Sequence, residues 1–272
     1  MTEELKIAFI GGGIMSESII TSIIGNGLAA PGKITVGEPV SSRREHLSER
    51  YQVQVTDDNL EAITGARMIV LAVKPQQIDT AMADLKSSVN NSQVVLSIVA
   101  GASIKSISKS LDHSVIVRVM PNTPSQVGQG MSVWTALPGV SLEHRDLVQC
   151  ILKTLGKEVY VSEEKYLDMA TALSASGPAY VFMFLEALID AGVYLGLQRD
   201  MAETLATQTI YGSIALVRES GKHPADLRNM VTSPGGTTAE ALLVMEESGF
   251  KGILLDAVIA AYEKAITLGG KD

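Results

Sequence analysis

The sequence predicts an α/β chain in two parts, a doubly wound parallel sheet over 1–161 followed by an all-α part over 162–272. Three observations carry that expectation. Up to about Val161, short apolar runs alternate with polar, helix-compatible stretches, the pattern of strands joined by crossover helices. The runs are continuous in Val, Ile and Leu, as strands covered on both faces require. After Ser162 the strands stop and every strong period is helical. A length of 272 residues suits two domains, and a chain 46% hydrophobic and 19% charged is neither disordered nor fibrous.

In order along the first part, strands are expected at 7–10, 34–36, 68–73, 94–99 and 115–120, with weaker runs at 131–134 and 159–161. The stretches 14–25, 42–50, 76–85, 103–111 and 142–155 read as the crossover helices between them. In the second part helices are expected at 163–173, 178–197, 200–220, 224–230, 237–248 and 251–268, punctuated by Pro178, Gly221 and Gly249. The last carries one apolar stripe through Ile253, Leu254, Ala257, Val258, Ala261 and Tyr262. The stretch 178–197 is apolar nearly all round, and it reads as a buried helix. Glu186 and Asp190 fall inside it, and each would cost about 2.5–3.5 kcal/mol near a bilayer centre. So much apolar helical surface is hard to bury alone, so this part is expected to pack against a second copy of itself.

Composition narrows the function classes. With 22 Lys and Arg against 30 Asp and Glu, the net charge of −8 lacks the positive field behind most nucleic-acid affinity. The single Cys150 excludes an intrachain disulfide, and the scattered His46, His113, His144 and His223 form no metal-ligand spacing. The first six residues lack the basic and apolar regions of a signal peptide, and a reducing cytoplasmic setting is expected.

The first chemical constellation is Gly11-Gly-Gly-Ile-Met-Ser16, directly after the first strand and opening a helix. Gly11 would make the tight turn and Gly13 would admit a pyrophosphate to the helix N-terminus, the arrangement of dinucleotide-binding units. Position 16 is Ser where that fingerprint has Gly or Ala, and a ligand-free β–α turn is the plain alternative. At the end of the second strand, Glu38 suits a ribose 2′-hydroxyl, as for NAD, whereas Ser41 to Arg44 suit a 2′-phosphate, as for NADP, or a helix cap and solvated first turn. Two further loops follow strand ends, at 72–76 and 120–124. Lys74 stands open between cofactor contact and solvent, and Pro121 and Pro124 stiffen the loop that would present Asn122 to a nicotinamide carboxamide.

The second constellation is Thr232-Ser-Pro-Gly-Gly-Thr-Thr238, entering the helix expected at 237–248. Free backbone N–H groups with four hydroxyls make an anion cradle without a cation, suited to a carboxylate. No nucleophile elbow, Ser-His-Asp arrangement, paired catalytic carboxylates or metal motif is present, and His223 beside Pro224 reads as structural. A C=N substrate already protonated in water needs no strong base.

Across essentially its whole length the chain resembles the pyrroline-5-carboxylate reductase family. The resemblance rests on Ile10-Gly-Gly-Gly-Ile-Met15, Ala72-Val-Lys-Pro75, Val99-Ala-Gly101, Arg118-Val-Met-Pro-Asn-Thr-Pro124, Ser174-Ala-Ser-Gly-Pro-Ala-Tyr180, and Pro224 to Met230 continuing into Ser233-Pro-Gly-Gly-Thr-Thr238. It implies a Rossmann domain, a helical dimerisation domain, and an active site completed by the partner subunit, which reduces 1-pyrroline-5-carboxylate to L-proline with NADPH, NADH being possible. Carried over, Gly11, Gly13, Ile14, Met15, Glu38, Asn59, Ala72 and Lys74 would border the dinucleotide, with Ala100 and Asn122 near the nicotinamide. Ser233, Gly236 and Thr237 would hold the substrate and Thr238 would exchange a hydrogen bond with its ring nitrogen, Thr238 and Ser233 forming the catalytic pair. The assembly implied is a homodimer or an oligomer of dimers, with no metal, nucleic-acid or membrane partner. Ile14 stands where the family commonly has Asn, and Glu38 where many members have a small polar residue, which weighs against NADPH. The alternatives are a 3-hydroxy-acid dehydrogenase and a non-catalytic NAD(P)-sensing dimer.

Overall fold

A computed structural model describes residues 5–269. Eight strands form one sheet in the order β3-β2-β1-β4-β5-β6-β7-β8. They are β1 (Ile7–Ile10), β2 (Ile34–Gly37), β3 (Gln54–Thr56), β4 (Met68–Leu71), β5 (Val94–Ser97), β6 (Ile116–Met120), β7 (Gly130–Ala136) and β8 (Gly156–Tyr160). The crossovers are α1 (Ile14–Gly25), α2 (Ser41–Tyr51), α3 (Asn59–Ile63), α4 (Ile78–Leu85), α5 (Ile104–Leu111) and α6 (Leu142–Leu155).

The sheet is doubly wound because the order reverses at β1, which pairs in parallel with both β2 and β4. It departs from the expected all-parallel sheet at one point, where β7 runs antiparallel to β6. The connection between them is only a short 3₁₀ turn at Thr123–Val127, too little chain to cross over and return in parallel. Helix α6 then supplies that crossover, so β8 is again parallel to its neighbour.

Alternation within each strand divides the core between the two faces. Ile7 and Phe9 pack with Ile20, Ile34, Val70 and Trp134, and Ala8 and Ile10 pack with Ile69, Met82, Val95 and Ile116 on the other side. The expected runs 68–73 and 94–99 overshoot the strands by two residues at their carboxyl ends. Val73 and Val99 still pack against the second cluster there, so apolar character continues after the pairing has ended. Both β3 and α3 lie in a stretch where no element was expected: the strand is three partly exposed residues, and the helix is a single turn and a half capped by Asp58, which accepts from Leu60 N and Glu61 N.

After β8, α7 (Lys165–Ala170) leads into a π-helical turn at Thr171–Ala175, where one α-helix was expected over 163–173. A buried ion cluster holds this segment to the sheet. Arg118 of β6 is 3% exposed and pairs with Glu164 at 2.7 Å and Asp168 at 3.3 Å, while Ile104 N donates to the same Glu164 oxygen. The first compact unit accordingly extends to Ser176 and takes in the chain again from Ala261, a different division from the expected change of composition at 161.

The second unit, Gly177–Ala260, holds α8 (Gly177–Tyr194), α9 (Arg199–Ser220), α10 (Pro224–Met230), α11 (Thr237–Glu247) and the first half of α12 (Phe250–Leu268). α8 and α9 meet closely at Gly192, where an added Cβ would lie 3.0 Å from Ala202 Cβ, and the rings of Phe184 and Phe250 touch. The expectation that 178–197 is buried is corrected within the single chain. No residue of α8 is buried, and Phe182, Met183 and Tyr194 are 60%, 74% and 91% exposed. By length and composition alone, Lys165–Tyr194 is apolar enough to cross a membrane.

Candidate active site

Of the residues expected to bind a dinucleotide, all fall at or just after the carboxyl ends of β1, β2, β4, β5 and β6, except Asn59, which opens α3 beside β2. This is the edge of an open α/β sheet where ligands bind. Gly11 has φ +98, and a Cβ on it would come within 2.9 Å of Ala72 O, so only glycine lets β1 turn against the loop after β4. Gly13 is the N-cap of α1, makes no side-chain cap, and has nothing within 4 Å of an added Cβ. An anion can therefore approach the first-turn N–H groups. Ser16, the departure from the glycine fingerprint, is fully buried and donates to Gly11 O at 2.6 Å, tying the turn to the helix it opens. Ile14 is 66% exposed beside this opening, and Met15 lies half-buried with its sulfur 3.6 Å from Ser125 Oγ.

Glu38 follows β2 and closes on the glycine loop. Its Oε2 accepts from Gly12 N at 2.8 Å and its Oε1 from Val40 N at 3.1 Å. The neighbouring arginines are engaged within the protein. Arg43 Nε donates to Gly12 O and its Nη2 pairs with Glu17, while Arg44 donates to Glu38 O and Pro39 O. Asn59 donates to Asp84 and stands beside Gly37, where an added Cβ would meet its amide oxygen. Lys74 is exposed in the turn after β4, and Ala72 and Ala100 are half-buried.

Asn122 is committed at both ends of its amide. Its oxygen accepts from Met131 N at 2.8 Å and its nitrogen donates to Ser174 O at 3.2 Å, so it clamps the loop after β6 to β7 and to the π turn. Neither Ser174 nor the Arg118 cluster was assigned a role from the sequence. A usable signal existed for the second: a lone charge inside the apolar run 115–120 demands a partner.

Ser233, Gly236, Thr237 and Thr238 come together in the second unit, where Gly236 is the N-cap of α11 and no side chain caps that helix. The chain folds tightly there, with Gly235 at φ +67, Gly236 N donating to Ser233 O at 3.0 Å, and Ser233 Oγ packed where a Gly236 side chain would stand. Ser233 and Thr237 are exposed and Thr238 is half-buried. The four expected hydroxyls reduce to three, because Thr232 Oγ1 donates back to Arg228 O at 2.7 Å. His223 caps α10, accepting from Ala225 N through Nδ1, and so has the structural place expected of it. No cluster of metal ligands occurs among the described residues.

Family models match the two regions in which these constellations lie. A family model described as pyrroline-5-carboxylate reductase dimerisation matches residues 164–268, and one described as NADP oxidoreductase, coenzyme F420-dependent, matches 6–101. Pyrroline-5-carboxylate reductase of Synechocystis is 42% identical over 267 residues, covering 98% of this chain and 99% of its own length. The chain belongs to the pyrroline-5-carboxylate reductase family. The Escherichia coli enzyme of that family is 37% identical, with 96% of this chain and 97% of its own covered. Among solved structures, the Plasmodium falciparum pyrroline carboxylate reductase with NADP bound superposes with a TM-score of 0.91 at 32% identity, covering 99% of this chain and all of that one. The Coxiella burnetii reductase gives 0.88 at 36% identity, with the same coverage. The family thus joins a Rossmann-type sheet to a helical dimerisation region, and the exposed apolar α8 lies inside that region.

Proposed function

We propose that this chain reduces the C=N bond of 1-pyrroline-5-carboxylate to L-proline with a reduced nicotinamide dinucleotide, as a homodimer or an oligomer of dimers. The observation that carries the reading is the N-terminus of α11, which no side chain caps and which is flanked by the hydroxyls of Ser233, Thr237 and Thr238. The residues at the sheet edge fit a dinucleotide, since Gly13 leaves the start of α1 open and uncapped, as a pyrophosphate requires. Gly11, Gly13, Ile14 and Met15 would border it, with Glu38 and Asn59 at the adenosine side and Ala72, Lys74, Ala100 and Asn122 toward the nicotinamide. The bound dinucleotide supplies the hydride.

The chain's own residues then bind and orient. The N–H groups and dipole at the start of α11 hold the substrate carboxylate with Ser233, Gly236 and Thr237, and the Thr238 hydroxyl bonds the ring nitrogen. Neither Lys nor Arg occurs between Ser233 and Thr238, so no cation opposes the protonated imine. Orientation against the reduced ring supplies most of the acceleration. The division of labour places dinucleotide binding in 1–161 and dimerisation with substrate binding in 162–272, the partner copy presenting its substrate residues. The cytoplasm is the proposed compartment, consistent with one unpaired cysteine, Cys150. The purified protein should oxidise NADH or NADPH when 1-pyrroline-5-carboxylate is added, followed at the nicotinamide absorbance band. Dinucleotide binding without turnover would indicate a sensor, and turnover of a 3-hydroxy acid instead would indicate a dehydrogenase.

A further inference from the structure

We infer that Glu38 makes NADH the preferred coenzyme by excluding the 2′-phosphate of NADPH, an inference that rests on the dinucleotide reading above. In an open doubly wound sheet, the end of β2 lies against the adenosine ribose. Glu38 is the first residue beyond β2, and its own N–H donates to Thr56 O at 2.9 Å, fixing its backbone to β3. Its carboxylate cannot swing freely into solvent, because Gly12 N at 2.8 Å and Val40 N at 3.1 Å hold one oxygen each. Each oxygen keeps a second lone pair, so the pair can still accept from the two hydroxyls of an unphosphorylated ribose. A phosphate in the same place would meet a fixed negative charge.

The cations that could offset that charge are turned elsewhere. Arg44 Nη1 donates to two backbone carbonyls, at 2.7 and 2.9 Å, and its Nη2 faces Asp57 at 3.4 Å. Arg43 is bonded to Gly12 O and paired with Glu17 at 2.9 Å, a carboxylate that also holds His46. The Ser41 hydroxyl donates to Glu45. Recruiting either guanidinium to a phosphate breaks contacts that shape the glycine loop or the turn after β2, whereas a ribose diol needs none of them moved.

Fluorescence titration of the full-length protein with NADH and with NADPH tests this by dissociation constants, apart from turnover. The wild type should bind NADH about tenfold or more tightly than NADPH. Glu38→Gln keeps an oxygen that can accept from Gly12 N while removing the charge, and should narrow that ratio by about tenfold, mainly through tighter NADPH binding. Arg43→Met also removes the bond to Gly12 O, so it should weaken NADH and NADPH alike and leave their ratio unchanged. Equal or tighter binding of NADPH by the wild type, an unchanged ratio in Glu38→Gln, or a selective loss of NADPH binding in Arg43→Met would each overturn the inference while leaving the reductase reading intact. Failure of both dinucleotides to bind would overturn the reading and the inference together.

Discussion

Strand β1 and helix α8 are both strongly apolar, yet every residue of β1 is buried and no residue of α8 is. The strand finds its cover in the same chain, with α1 and neighbouring strands on one face and α3 and α4 on the other. The helix offers Phe182, Met183, Tyr194 and Leu195 to the surroundings, inside a region that matches a dimerisation family. Equal hydrophobicity therefore marks two kinds of partner, and only topology tells which. One unit covers its apolar surface within its own chain, and the other leaves it exposed in a region that matches a dimerisation family.

The hardest test of that contrast is to place charge on α8. Phe182→Glu with Met183→Glu should weaken the dimer by more than a hundredfold, an order-of-magnitude figure for desolvating two carboxylates, and abolish activity. Sedimentation velocity at low concentration would show it, and a fully active, undisturbed dimer would place the interface elsewhere. The matching change in the other unit is Phe9→Ala, at a fully buried position. It should cost about 3–5 kcal/mol in urea unfolding and leave the association state unaltered. A change in association without a loss of stability would dissolve the contrast.

Thr238→Ala sharpens the comparison at the level of chemistry. It removes one hydrogen bond and no charge, so kcat/KM for 1-pyrroline-5-carboxylate should fall by about 10- to 150-fold, or ~1.5–3 kcal/mol. Dinucleotide binding and folding should be unaffected. Wild-type kcat/KM would reduce Thr238 to a plain first-turn residue.

The smallest expected effect lies in the sheet unit alone. His113 is buried and donates through Nε2 to Gln93 O at 2.9 Å. Burial holds its pKa below the usual 6.5, against the opposing hydrogen bonds to Gln93 and Val115, with His144 adding a further lowering. Below about pH 6.5 the unfolded chain takes up a proton that the folded chain resists, so stability falls as pH drops, until the folded-state pKa is passed. The His113→Gln variant should lose less of its Tm than wild type between about pH 7.5 and pH 5.5, the difference reporting this one group. Equal losses would show that other groups dominate the acid limb.

The major strands and crossovers were legible because each has a continuous apolar run or a long helical period, and the glycine turn because Gly11 answers a steric need that no other residue meets. The edge elements were not, since Gln54–Thr56 is too short to show a period and Asn59–Ile63 is held by its Asp58 cap. Residue types at the site were readable, but their commitments were not. Glu38 and Asn122 look available in the sequence, and three-dimensional neighbours decide that one pins Gly12 while the other clamps Met131 and Ser174. Thr232 counts as a free hydroxyl until the helix before it supplies Arg228 O. The antiparallel β7 needed the length of a loop, which apolar patterning does not record.

The clamp formed by Asn122 also bears on the thermodynamics of binding. Pro121 and Pro124 restrict the backbone of that loop, and the amide fixes it to two other segments before any ligand arrives. The conformational freedom of these residues is lost once, during folding, so under the proposed placement a nicotinamide ring beside them would meet a surface already ordered. Association there would carry little of the entropic penalty that a mobile loop imposes each time it closes.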